Sequence, residues 1–147
     1  MIEAINKRID ELKTKMPEMK LPPNIFLDMD GEFVEYIEGE SLTARFPFKE
    51  RYENPFGYMQ GGIIVAAIDN TVSPLSYLVS PPNVTTHINT TYIRPVKNTE
   101  KFIEVIASVV EKTANGIHFM AKVKSERGKL LATSTVSCSV IRSRQIK

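Results

Sequence analysis

Residues 54–69 read NPFGYMQGGIIVAAID, and the architecture turns on this stretch. From residue 62 to 71 it is nearly all apolar. Ile63, Ile64, Val65, Ala66, Ala67 and Ile68 leave no polar face. A helix that is apolar all round is a buried one. Ile and Val also favour strands. The pair Gly61-Gly62, the Ala pair and a continuation to about Val79 favour a helix instead. Pro74 should kink or stop it. Upstream, Asn54-Pro55 and Gly57 are turn formers in a loop over 49–58.

Strand-like runs lie on both sides. Before the loop, 33–38 sits between Gly31 and Gly39, a hairpin signal. In 42–48 the residues Leu42, Ala44, Phe46 and Phe48 alternate with polar Thr43 and Arg45. After Pro81-Pro82 come four runs, 84–93, 102–111, 117–125 and 130–141. Arg94-Pro95, Asn115-Gly116 and Arg127-Gly128 separate them. Asn115-Gly116 is a strong hairpin signal. In the last run Leu130, Ala132, Val136, Cys138 and Val140 alternate with Thr and Ser. The order strand, strand, buried helix, four strands predicts an α+β fold, an antiparallel sheet wrapped around one central helix.

The N-terminal segment reads differently. Ile2, Ile5, Ile9, Leu12 and Met16 are spaced by threes and fours, one apolar stripe on a helix. Pro17, Pro22 and Pro23 end it. The expected division is residues 1–23 as helix and linker, and 24–147 as the main domain.

With 147 residues the chain is one domain by length. A net charge of +2 with scattered basic residues argues against nucleic-acid binding. The short basic tail, Arg142, Arg144 and Lys147, reads as a solvated, frayed end. The charged N-terminus is no signal peptide. No apolar run approaches the ~20 residues of a membrane span. The chain therefore reads as cytoplasmic. Cys138 reads as a small buried hydrophobe. His87 and His118 lack metal-ligand spacing, and no metal is expected.

The chemistry points back to the opening stretch. Between residues 54 and 93 the only charged side chain is Asp69, in the most apolar segment of the chain. An unpaired buried carboxylate is costly, so such groups pair, cap, or do chemistry. Gly61 and Gly62 leave backbone N–H groups open to another molecule. They do so at a helix N-terminus, which suits an anion or a developing oxyanion. Gly62 and Asp69 lie on nearly one face but roughly 10 Å apart along the axis. One helix cannot bring them together. Two copies packed antiparallel about a two-fold can, which predicts an obligate dimer with two shared sites.

The pattern Asn54-Pro55-x-Gly57-x-x-Gln60-Gly61-Gly62, followed by Asp69, resembles the signature of hotdog-fold acyl-CoA thioesterases of the phenylacetate-pathway (PaaI-like) type. Asn89-x-Thr91-Tyr92-Ile93-Arg94-Pro95 resembles that family's next strand motif. The likeness covers roughly residues 30–142. It implies a hotdog fold, homodimers often paired into tetramers, and an acyl-CoA substrate, with coenzyme A as part of the substrate and no separate cofactor. It implies that the Gly62 N–H polarises the thioester carbonyl. Asp69 of the partner acts on water as general base, or as nucleophile. Asn54 helps hold water or the carbonyl, and Thr85 or Thr86 assists. Arg94 is a candidate for the coenzyme A phosphates, with a surface ion pair as its alternative. One departure stands out. Gln60 occupies the place of a family His, and it can form hydrogen bonds but cannot titrate near neutrality. That departure keeps a non-catalytic acyl-CoA-binding protein as the rival. A hydratase would want a His paired with an acid, for which His87 is the only nearby residue.

Overall fold

The computed structural model describes residues 2–141, so the basic tail at Arg142, Arg144 and Lys147 lies outside the described residues. In chain order the elements are α1 (Ile2–Lys15), α2 (Asn24–Asp28), β1 (Glu32–Ile37), β2 (Ser41–Pro47), α3 (Gly61–Val79), β3 (Asn83–Tyr92), β4 (Phe102–Lys112), β5 (Gly116–Ser125) and β6 (Leu130–Val140). The strands form one antiparallel sheet in the order β1-β2-β4-β5-β6-β3. Both α3 and the six strands appear where the sequence pattern places them.

Alternation builds the inner face. Leu42, Ala44 and Phe46 on β2 pair with Ala107, Val105 and Ile103 on β4, and all six are buried. Ile117, Phe119, Ala121 and Val123 continue the face on β5, and Ala132, Val136 and Cys138 on β6. Against it α3 sets Ile64, Ala67, Ile68, Thr71, Val72 and Leu75, a stripe of threes and fours. Each large aliphatic side chain fully buried here contributes about 1.5–3 kcal/mol.

The structure departs from the sequence expectations in several places. α3 is buried along one face and not all round: Val65, Ala66, Asp69, Asn70, Ser73 and Tyr77 are half-exposed. The sheet covers one side, and α1 lies across part of the other. Pro74 does not stop the helix, which runs on to Val79. Val72 and Leu75, on either side of the proline, are both fully buried and hold the segment to the sheet. By length and composition alone α3 would suffice to cross a membrane. In the fold it is the element on which the sheet closes. Asn115 does sit in the β4–β5 connection and Gly116 opens β5, but Gly116 has no left-handed φ. A Cβ there would come within 2.9 Å of the Cys138 carbonyl oxygen, so the glycine serves close strand packing.

The segment after the linker forms a short helix that the prolines concealed. Pro23 is the N-cap of α2. Phe26 in that helix is buried, stacked on Phe33 at 4.8 Å and edge-on to Phe46 at 5.9 Å.

The end of α3 depends on distant residues. The Tyr77 carbonyl would accept from the N–H of residue 81, but that residue is proline and has none. Arg8 of α1 supplies the donor instead, from Nε at 2.8 Å, and its Nη2 donates to the Ser80 carbonyl at 3.4 Å. Lys112 Nζ donates to the Val79 carbonyl. Two cations thus answer the negative end of the helix. Ile5 and Leu12 are buried below Arg8, so α1 is fastened by one charged hook and one apolar stripe.

Candidate active site

The N-terminal end of α3 gathers one group of the expected residues. Gln60 is its N-cap, with backbone φ −59° and ψ 139°, but its side chain makes no capping bond and lies exposed. The Gln60 carbonyl accepts from the N–H of Ile63 and Ile64. The N–H groups of Gly61 and Gly62 meet no acceptor among the described residues, as the first turn of a helix requires. The two glycines differ in surroundings. Tyr92 Oη donates to the Gly61 carbonyl at 2.9 Å, and a Cβ on Gly61 would lie 2.8 Å from that oxygen. A Cβ on Gly62 would meet nothing within 4 Å. Gly61 therefore admits Tyr92, and Gly62 faces open space.

Asn54 stands beside this end. Its Oδ1 accepts from the N–H of Phe56 and Tyr58, at 2.9 and 3.1 Å, which folds the loop back on itself. Only Nδ2 is left to meet another molecule. Arg94 is exposed and donates from Nη1 to the Leu130 carbonyl at 2.7 Å, and among the described residues it forms no ion pair. A hollow of about 390 Å³ is lined by Asn54, Gly61, Tyr92 and Arg94.

Two turns further on, the carboxylate forms a second group. Asp69 is half-buried, and its Oδ1 accepts from Thr85 Oγ1 at 2.8 Å and from Ser73 Oγ at 3.5 Å. Oδ2 accepts from no described residue. Thr85 reaches the carboxylate because β3 carries a bulge. Thr85 pairs with Cys138 and His87 with Ser137, which leaves Thr86 between them. Up to Thr85 the odd residues face α3, and after the bulge Ile88 and Thr90 do. Thr86 is thereby turned outward, where its Oγ1 donates to the Ser137 carbonyl. His87 is exposed on that outer face, beside the His118–Ser137 contact of 2.9 Å, and does not approach Asp69.

Sequence reasoning missed Ser73, Tyr77 and Tyr92. Ser73 and Tyr77 follow Asp69 at helical spacings of four and eight, a signal present in the sequence. Tyr92 meets Gly61 across 31 residues, with no local signal. Burial pushes the Tyr77 phenol above its ordinary pKa, and the neighbouring Cys138 and Asp69 push it further. Burial also raises the Cys138 thiol, against a lowering by its contact with Thr85. Among the described residues no cluster of three His, Cys, Asp or Glu side chains is placed to hold a metal.

Asp69 also forms part of the wall of a cavity of about 470 Å³ between α3, α1 and the linker. Its lining is mostly apolar, with Phe26, Phe33 and Tyr77 set among aliphatic side chains.

By sequence the chain matches no protein-family model and no curated protein. By structure it matches several solved proteins. One is the PaaI protein of Escherichia coli, from the phenylacetic acid degradation operon, at a TM-score of 0.81 and 10% identity over 95% of each chain. A thioesterase of Haemophilus influenzae matches at 0.74 and 22% identity, over 83% of this chain and 84% of that one. A phenylacetic acid degradation-related protein of Ralstonia eutropha matches at 0.75 and 22%, over 87% and 97%. These likenesses establish the hotdog fold.

Proposed function

We propose that this protein is a homo-oligomeric hydrolase of acyl-CoA thioesters, with each active site shared by two protomers. Asp69 of one protomer takes a proton from water through its free Oδ2. The water oxygen attacks the thioester carbonyl, whose oxygen is held by the Gly62 N–H of the other protomer. The C–S bond then breaks, coenzyme A leaves as the thiolate and takes up a proton, and the free acid remains. Oxyanion donors of this kind lower a barrier by ~3 kcal/mol. Thr85 fixes the orientation of the carboxylate. Gly61 admits substrate close to the backbone, Asn54 donates from Nδ2, and the remaining N–H groups of Arg94 suit phosphate.

The observation that carries the reading is the state of Asp69: one oxygen held by Thr85, the other uncommitted, at the wall of an apolar cavity. Two features support the second protomer. Gly62 and Asp69 are seven residues apart on one helix, roughly 10 Å along its axis. β3 is a ten-residue strand at the sheet edge, with Val84, Tyr92 and neighbouring Ile93 exposed. Long unpaired edges of this kind recruit another strand.

Release of free thiol from a panel of acyl-CoAs tests the reading. Asp69→Asn should lower the rate at least about 100-fold, the usual loss of a general base. Unchanged release would sink the mechanism. So would full activity in a protein that sediments as a monomer. The second reading, an acyl-CoA-binding protein without catalysis, is favoured by Gln60, whose exposed side chain makes no capping bond and cannot titrate near neutrality. It predicts binding without thiol release from any acyl-CoA, and Gln60→His then tests whether the substitution is the cause.

A further inference from the structure

We infer that the cavity beneath α1 is the acyl chamber of this site and that it takes a medium- to long-chain aliphatic acyl group. The inference rests on the thioester reading above and adds the substrate class. Asp69 is the one acidic residue in the lining. A thioester carbonyl placed at its free oxygen must direct its acyl tail into the adjoining space. That space is roofed by Ile5, Ile9 and Leu12 of α1, while Ala66, Pro74 and Leu78 of α3 form the floor. The flexible aliphatic side chains of the roof suit a hydrocarbon with many conformations.

Volume decides between a ring and a chain. An apolar cavity of about 150 Å³ holds one benzene. The chamber, at about 470 Å³, is about three times larger. A single aromatic ring would leave most of the wall without contacts, forfeiting its dispersion attraction. A straight chain of about ten to sixteen carbons fills it, scaling from that benzene cavity. The roof is what makes the chamber. It is held by the Arg8 hook at the C-terminal end of α3, where Arg8 also forms part of the cavity wall.

Non-hydrolysable S-alkyl-CoA thioethers test this, titrated calorimetrically into the full-length protein from four to sixteen carbons, with S-(2-phenylethyl)-CoA as the one-ring probe. Kd should fall about tenfold with each two-carbon step up to at least about ten carbons, from the cost of exposing each methylene, and the one-ring probe should bind like the short alkyls. Ile9→Trp fills the chamber, and the ratio of long-chain to short-chain affinity should then collapse at least tenfold. The chain contains no other Trp, so indole fluorescence reports the occupied chamber directly. Leu78→Phe, which fills the cavity from the floor, should act in the same direction and covers a fold defect in the first variant. A Kd independent of chain length, or equal loss at all lengths in both variants, overturns the chamber. Tightest binding by the one-ring probe overturns it too. Chain-length-dependent binding in a protein that releases no thiol overturns hydrolysis and leaves the chamber standing. Thiol release without length dependence does the reverse.

Discussion

Thr85 on the edge strand donates a 2.8 Å hydrogen bond to Asp69 Oδ1 on the central helix. A bond to a charged acceptor is worth about 1.5–3 kcal/mol. In the proposed reaction the bond fixes which oxygen faces the water. Thr85→Val keeps the shape and removes the donor. The expected result is a fall in kcat of about 10- to 100-fold, with KM changing much less, each 1.4 kcal/mol being about tenfold. Ser73→Ala should cost less, since its contact is longer at 3.5 Å. Steady-state kinetics on both variants checks the order.

The two glycines at the start of α3 should separate in stability. Gly61→Ala drives a Cβ into Tyr92 and loses the bond from Tyr92 Oη, an exposed contact worth about 1 kcal/mol. Gly62→Ala meets nothing, and alanine is the better helix former by up to about 1 kcal/mol. Urea unfolding should therefore show Gly61→Ala destabilised and Gly62→Ala neutral or more stable. Equal effects would contradict the different surroundings of the two positions.

Arg8→Met should loosen α1. The Tyr77 carbonyl would lose its donor, and the proline at residue 81 cannot replace it. The expected loss is about 1–2 kcal/mol. Trypsin should then cut faster at Lys13, Lys15 and Lys20, read by the rate of appearance of the shortened chain. Cleavage at the wild-type rate would show that the apolar stripe alone holds α1.

Alkaline pH should weaken the fold through Cys138. Burial raises its folded pKa above that of the unfolded thiol, about 8.5. A raised pKa stabilises fully below the unfolded value, and that contribution is lost as pH climbs through the folded one. Tyr77, raised for the same reason, acts in the same direction at higher pH, above about 10. Urea midpoints should fall from pH 8 to pH 10.5, and the fall should be shallower in Cys138→Ala. In the native protein at pH 8 the thiol should react slowly with a disulfide reagent, and it should react at once on unfolding.

Much of this molecule can be read locally. The apolar run after Gly61-Gly62 forms α3, and strict alternation marks β2 and β6. The isolated charge of Asp69 marks the carboxylate, because its neighbours in sequence are its neighbours on the helix. What escaped is carried by contacts between distant segments. Nothing near Arg8 announces that it will close a helix some seventy residues away. Nothing near Tyr92 announces Gly61. The half-exposed face of α3 escaped because composition does not say which side of an apolar helix the sheet will leave uncovered. The α2 helix was hidden because its proline reads as a breaker, although Pro23 serves as its N-cap.

The bulge at Thr86 gives one strand two settings of phase. On β6 the inward positions Ala132, Ser134, Val136 and Cys138 march without interruption. Their partners on β3 are Tyr92, Thr90, Ile88 and then Thr85, so one beat is skipped. The far half of the strand keeps step with the sheet and holds Tyr92 over Gly61. The near half, released from that rhythm, aims Thr85 at Asp69. The same residues in unbroken alternation could honour either Gly61 or Asp69, and would have to abandon the other.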